Sequence, residues 1–126
     1  MIRDVMLFIE DILDSITKIE SFSEGLTKEK LLTDDLHQSA IIRQLEIIGE
    51  AVKNIPDKFR EKYSGIQWRK IAGLRDVIIH AYFGINLDRV WDIIKADLPD
   101  LKQKILKIKD NMEELEQKKQ VKTKEK

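Results

Sequence analysis

The sequence contains no cysteine, which excludes disulfide bonds and thiolate zinc sites. That absence is consistent with a reducing cytosol, and the acids inside the apolar N-terminus MIRDVMLFIEDI are unlike a signal peptide. The longest uncharged run, Val77–Leu87, is far shorter than the ~20 residues that a helix needs to cross a bilayer. We therefore expect a soluble, cytoplasmic protein without membrane association.

Proline and glycine are also scarce, with 2 and 5 copies in 126 residues, which favours long helices. The glycines are dispersed, so a glycine-rich phosphate loop is excluded. The only two histidines, His37 and His80, are far apart and in no metal-ligand spacing, and no metal site or cofactor is predicted. The acids of the first segment fit a solvated helix face better than a metal site.

Net charge is zero, with 23 basic and 23 acidic residues, but the charge is unevenly distributed. The first segment is acidic, whereas the C-terminal KKQVKTKEK is basic and lacks apolar spacing. We predict a single helical domain over residues 1–116, followed by a frayed, solvated basic tail over residues 117–126.

Apolar residues recur at intervals of three and four, and no segment alternates with period two. The pattern predicts an all-α fold, an up-and-down bundle of four to five helices with a long C-terminal helix kinked at Pro99. The predicted segments are Arg3–Ser21, Thr33 to Pro56 with Thr33 or Asp34 as N-cap, a short helix from Pro56 to Tyr63, Gln67–Phe83 with Gly84 as C-cap, and Asn86 to Leu115 with Asn86 as N-cap.

The segment GLRDVIIHAYFGIN places an arginine, a histidine and a tyrosine in an apolar context. His80 can exchange a proton near neutral pH, and Arg75 offers a planar fork of donors that matches phosphate oxygens. Together they are suited to cleaving RNA without a metal. His80 would take the proton from a ribose 2′-hydroxyl, which attacks the adjacent phosphate, while Arg75 stabilises the charge that develops there.

The spacing raises a geometric difficulty for that interpretation. At about 100° per residue, Arg75 and Tyr82 share one face of a regular helix, whereas His80 points about 140° away from Arg75. Either the helix unwinds near His80, or two chains meet so that their motifs face each other across a two-fold axis. On spacing alone, a hydrogen-bonded, structural histidine and tyrosine at a helix end is favoured over catalysis.

Three blocks, RQLEIIGEAVKNIP, IQWRKIAGLRD and LRDVIIHAYFGINLDRVWDII, resemble in order the signature segments of HEPN domains of the HepT-like toxin family. The resemblance covers most of the chain and implies a small, HEPN-like helical bundle that forms a homodimer. It also implies a toxin that acts as a metal-independent endoribonuclease on an RNA substrate.

By the same resemblance, Arg75 and His80 are catalytic, and Asp76 supports them by orienting neighbouring groups. Tyr82 is the residue to which a minimal nucleotidyltransferase (MNT-type) antitoxin attaches AMP, and that bulky anion would block RNA. An alternative remains open, in which the chain is a non-catalytic helical module that binds nucleotide or docks such a nucleotidyltransferase.

Overall fold

The computed structural model describes residues 2–80 and 84–124, with the backbone alone for residues 2, 3, 77, 79, 80 and 121–124. Helices make up nearly all of this described part, which confirms the predicted all-α class. The order along the chain is α1 (Ile2–Phe22), α2 (Lys28–Thr33), α3 (Asp35–Asn54), α4 (Asp57–Lys62), α5 (Trp68–Ala72), α6 (Leu74–Ile78), β1 (Ile79–His80), β2 (Gly84–Ile85), α7 (Leu87–Asp92), a π-helical segment (Ile93–Asp97) and α8 (Leu98–Lys124).

The first helix buries the apolar stripe that its sequence predicts, and it packs against α3 and α8. Lys102 Nζ lies 3.0 Å from Glu20 Oε1, which joins the C-terminal end of α1 to the first turns of α8. Two packed helices whose opposite ends meet in this way run antiparallel, as an up-and-down bundle requires. The buried residues of the stripe are Val5, Ile9, Ile12, Ile16 and Ile19.

The third helix is capped at both ends by side chains. Asp34 Oδ1 accepts hydrogen bonds from the amides of Leu36 (3.1 Å) and His37 (3.2 Å), so Asp34 is the N-cap. The bond from the His37 amide, followed by the bond from its imidazole, lowers the pKa of Asp34. At the other end, the Arg60 guanidinium donates to the carbonyl oxygens of Val52 (2.6 Å) and Ile55 (3.0 Å). The Val52 carbonyl also accepts from the Ile55 amide (3.1 Å), so the guanidinium adds to the capping of this helix end.

The structure adds a helix that the predicted segments do not include. Helix α2 begins within SFSEGLTKEK, after the first predicted segment, because Thr27 Oγ1 accepts from the Lys30 amide (3.1 Å) and caps a new helix. Two leucines of the predicted helical segments, Leu36 and Leu115, are 78% and 55% exposed. Leu36 lies in the first turn of α3, and Leu115 lies beyond the last buried turn of α8, where it lines an open groove beside Phe59 of α4.

The helix predicted over Gln67–Phe83 is divided in the structure, and its predicted end at Phe83 lies outside the described residues. Gly73 costs a helix about 1 kcal/mol relative to alanine, so a break there, or a closely packed neighbour, was expected. Gly73 separates α5 from α6, and α6 ends at Ile78. A glycine in the opposite helix positions α5, since a Cβ atom on Gly49 would lie 3.4 Å from the carbonyl oxygen of Ile71. The backbone of α5 therefore packs directly on α3.

The last helical stretch begins as predicted, because Asn86 Oδ1 accepts from the Arg89 amide (3.1 Å) and caps α7. A π-helical segment then leads into α8 immediately before Pro99. Proline has no amide hydrogen to donate to the carbonyl of Lys95, and its ring collides with that carbonyl, so the wider turn relieves the clash. The kink predicted at Pro99 stays a prediction, and the local irregularity seen before this proline is the π-helical segment.

Helix α8 continues through Lys124, and residues 113–120 are exposed. The division of the chain at residue 116 and the fraying of its end remain predictions. Among the helices in the described ranges, none combines the length and the apolar character that a bilayer crossing needs.

Candidate active site

Helix α6 displays Arg75 because its other face is anchored in the core. Leu74 and Ile78, four residues apart, are 7% and 1% exposed, and residues with this spacing share one helical face. Arg75 and Asp76 lie on the remaining faces and are exposed. Within the part of the chain that the structure describes, neither makes a side-chain hydrogen bond or an ion pair. The Arg75 guanidinium is therefore open to an anionic ligand.

The helix ends before it reaches His80. The β-branched run from Val77 to Ile79 restricts side-chain rotamers in a helix and favours extended backbone. Strands β1 and β2 pair antiparallel, with Ile79 opposite Ile85 and His80 opposite Gly84. The Asn86 amide continues the pairing by donating to the carbonyl oxygen of Ile78 (2.7 Å). His80 is thus held by its backbone in a short hairpin rather than in a helical turn.

This hairpin changes the geometric argument made from spacing. The angle of about 140° between Arg75 and His80 applies only to one regular helix, and the helix ends two residues before His80. An end to the helix near His80 was one of the two arrangements that the sequence left open. The His80 side chain and all of Tyr82 lie outside the described residues. The catalytic roles of Arg75 and His80 and the supporting role of Asp76 therefore remain predictions.

Gly84 was expected to end a helix, but it is the pairing partner of His80. Its φ angle of +83° lies in the left-handed region, which side chains with a Cβ atom rarely adopt. No heavy atom lies within 4 Å of a Cβ atom built there, so the requirement for glycine comes from the backbone alone. Gly84 and the cap at Asn86 together set where the chain leaves the hairpin and enters α7.

Two cations near Arg75 were not singled out from the sequence. Arg69 and Lys70 are exposed in the last turn of α5, and Asp76 is the only acid in α5 and α6. The available signal was the basic pair in IQWRKIAGLRD, placed five to six residues before Arg75. Helices α5 and α6 together thus carry three basic residues and one acid, a composition that favours an anionic substrate.

Groups of three or more His, Asp or Glu side chains that could hold a metal ion are absent from the described residues. That no metal takes part in the chemistry remains a prediction.

The comparisons with known proteins agree with one another. A family model described as Ribonuclease HepT-like matches residues 12–108, more than half of the chain. A protein of Thermococcus cleftensis named "Probable ribonuclease HepT" is 45% identical over 102 residues, which cover 81% of this chain and 93% of that protein. No solved structure matches the chain.

A longer relative contains a similar segment. The Methanocaldococcus jannaschii protein named "Gamma-glutamylcyclotransferase and putative RNase MJ0434" is 45% identical over 119 residues. The match covers 94% of this chain but only 52% of that protein, so the chain spans about half of its length. The matched family segment includes Arg75, Asp76, His80 and Tyr82. The resemblance inferred from the three sequence blocks is confirmed, and the chain belongs to the HepT-like ribonuclease family.

Proposed function

We propose that this protein is a metal-independent endoribonuclease that cleaves RNA by attack of a ribose 2′-hydroxyl on the adjacent phosphate. The observation that carries the proposal is the exposed Arg75 guanidinium, which has no acidic partner among the described residues and lies just before the hairpin that holds His80. Membership of a ribonuclease family supports RNA cleavage as the activity.

Each residue has a defined task in this mechanism. The His80 imidazole accepts the proton of the 2′-hydroxyl, and the resulting oxygen nucleophile attacks phosphorus and breaks the bond to the 5′-oxygen of the next nucleotide. That oxygen leaves as a hydroxyl by taking up a proton from water, and the proton held by His80 returns to solvent. Arg75 donates hydrogen bonds to the phosphate oxygens, on which negative charge increases in the transition state. Asp76, next to Arg75 in α6, orients the neighbouring groups. The products are a 2′,3′-cyclic phosphate end and a 5′-hydroxyl end.

A cleavage assay tests this assignment on RNA with and without a methylated 2′-oxygen at the cleaved position. We expect cleavage in the presence of a chelator, cyclic phosphate products, and no cleavage of the methylated RNA. Arg75→Ala should slow cleavage by about 10²–10³-fold, and His80→Ala by about 10²–10⁴-fold.

The chain supplies matched controls for both variants. Arg43→Ala removes another exposed arginine, and His37→Ala removes the only other histidine. Both should cleave RNA at nearly the wild-type rate. If all four variants cleave equally well and remain helical by circular dichroism, the catalytic assignment is wrong.

We further propose that the protein is the toxin of a toxin–antitoxin pair and that an MNT-type nucleotidyltransferase antitoxin neutralises it by adding AMP to Tyr82. An AMP group near Arg75 would bring a negative charge and steric bulk against the RNA phosphate. Expression of the protein should inhibit growth, and co-expression of the antitoxin should relieve inhibition of wild type but not of Tyr82→Phe. Relief of both would refute the role of Tyr82. If the antitoxin modifies Tyr82 while RNA stays intact with every variant, the protein is a docking module instead.

The proposal includes a homodimer in which the motifs of the two subunits lie near one cleft. Sedimentation at micromolar concentration tests whether the protein is a dimer. Mixing Arg75→Ala with His80→Ala tests whether the catalytic pair spans two subunits. If each site combines Arg75 of one subunit with His80 of the other, mixed dimers regain one intact site and the mixture recovers activity. If both groups come from the same subunit, the mixture stays inactive.

A further inference from the structure

We propose that the cavity between α5–α6 and the π-helical segment binds one unpaired base of the RNA, beside the phosphate that Arg75 contacts. This inference rests on the proposed ribonuclease function and adds a second contact with the same substrate. The cavity has a volume of about 420 Å³. That volume lies within the range of sites that bind small organic molecules.

The lining of the cavity suits the flat, apolar face and polar edge of a nucleobase. Its inner surface is aliphatic and comes from both sides of the groove. Gln67 on one side and Lys104 on the other supply polar groups at the lining. Bases that enter protein pockets are held by stacking on apolar surfaces and by hydrogen bonds to their edges. The aliphatic residues are Ile66, Ile71, Leu74, Ile93, Leu98 and Leu101.

The charges at the cavity favour an anionic ligand over a cation. Asp100 is paired with Lys104 at 2.9 Å, and Asp97 is paired with Arg89 at 3.3 Å. Lys70 makes no ion pair or side-chain hydrogen bond with the described residues. Both acids of the lining are thus neutralised, and one cation remains for a phosphate of the RNA backbone.

The chain connects this cavity directly to Arg75. Leu74 lines the cavity, and consecutive Cα atoms are about 3.8 Å apart. Lys70 lines it as well, one turn before the break at Gly73. Arg75 follows Leu74 in the chain but does not itself line the cavity, so in this proposal one RNA strand spans both, with a phosphate at Arg75 and a neighbouring base in the cavity. Because a paired base is stacked within a duplex, this arrangement selects single-stranded RNA.

The π-helical segment forms the opposite wall, and Ile93, Ala96 and Asp97 of this segment line the cavity. Segments of this kind occur frequently at functional sites. Ala96 is exposed and has the smallest side chain of the segment, so it leaves the mouth of the cavity open. A tryptophan at this position would fill the mouth without replacing a core residue.

The test measures binding of a short single-stranded RNA with methylated 2′-oxygens, which cannot supply the nucleophile. An abasic nucleotide replaces each position of this RNA in turn. We expect one position at which loss of the base weakens binding to the wild-type full chain by about tenfold, within the range measured for contacts with single bases. Ala96→Trp should weaken binding of the intact RNA by a similar factor and remove the effect of the abasic position. Ser39→Trp, at an exposed position of α3, is the matched control and should behave as wild type.

A second pair of variants keeps the test decisive if the tryptophan perturbs folding. Lys70→Ala should weaken binding of the intact and abasic RNAs alike. The control, Lys58→Ala, removes an exposed lysine of α4 outside this cavity and should bind RNA as wild type does. A wild-type protein that binds every abasic RNA equally, or that binds duplex as tightly as single strands, would overturn the cavity assignment.

The two proposals can fail separately. Cleavage of ordinary RNA without any dependence on one base overturns the cavity assignment alone. A dependence on one base that Ala96→Trp removes, in a protein that cleaves no RNA, supports the cavity and refutes the ribonuclease mechanism.

Discussion

Substitution of Gly84 by alanine tests whether the short hairpin positions His80 for cleavage. Gly84 is the residue paired with His80, and its φ of +83° strains any residue with a Cβ atom. No atom lies within 4 Å of the added carbon, so steric contact contributes nothing to the cost. The perturbation therefore acts only on the backbone that holds His80.

The expected magnitude combines two opposing effects. An L-residue in the left-handed region costs about 1–2 kcal/mol. Replacing glycine also reduces the entropy of the unfolded chain, which stabilises the folded state by about 0.4–1 kcal/mol. The net loss in the free energy of unfolding is about 1 kcal/mol, which lowers the Tm of a chain of this size by about 4 °C. The hairpin has only two paired residue positions, so local opening relieves the strain most easily.

The assay compares cleavage rate with Tm for Gly84→Ala and for Gly25→Ala. Gly25 is the other described residue with positive φ, at +70°, and it likewise has no atom within 4 Å of an added Cβ. It lies between α1 and α2, outside α6 and the hairpin. Both variants should lose similar thermal stability, but only Gly84→Ala should lose cleavage, by about five- to tenfold. If Gly84→Ala cleaves at the wild-type rate, or if Gly25→Ala loses as much activity, the hairpin does not position His80.

Three further variants test local features of the fold. Asn86→Ala removes the cap of α7 and should lower the free energy of unfolding, measured by denaturant titration, by about 1 kcal/mol. The control is Asn54→Ala, because Asn54 is exposed and caps no helix start, and it should lower the free energy of unfolding by less. Trp68→Phe removes an indole N–H that donates to two carbonyl oxygens at the end of α4, at 2.9 and 3.2 Å. This variant should lower the free energy of unfolding by about 1–3 kcal/mol in the same titration. An unchanged midpoint would show that water replaces these bonds. Because bonds from His37 lower the pKa of Asp34, this carboxylate stabilises the fold above its unfolded pKa and loses that effect as pH falls through its lower folded pKa. Wild type should therefore lose more stability than Asp34→Asn on acidification below about pH 4, and parallel losses would contradict this.

Much of the helical framework follows from local sequence. The isoleucine spacing of α1, the cap at Asp34, the stop at Pro56 and the cap at Asn86 each act through residues no more than a few positions apart. Apolar periodicity and capping chemistry are therefore sufficient to predict these elements. The same approach missed α2, whose six residues contain one buried side chain, Leu31. A helix that short has no periodicity to detect.

The sequence by itself determined the all-α class, the family and the candidate residues Arg75, Asp76, His80 and Tyr82. Only the tertiary structure decided that the helix carrying Arg75 ends at Ile78, since pairing with a strand from beyond residue 83 competes there with helical hydrogen bonds. The cavity beside Leu74 likewise has walls from segments about 20 residues apart. Its volume depends on how closely those segments approach, and local periodicity carries no information about that distance.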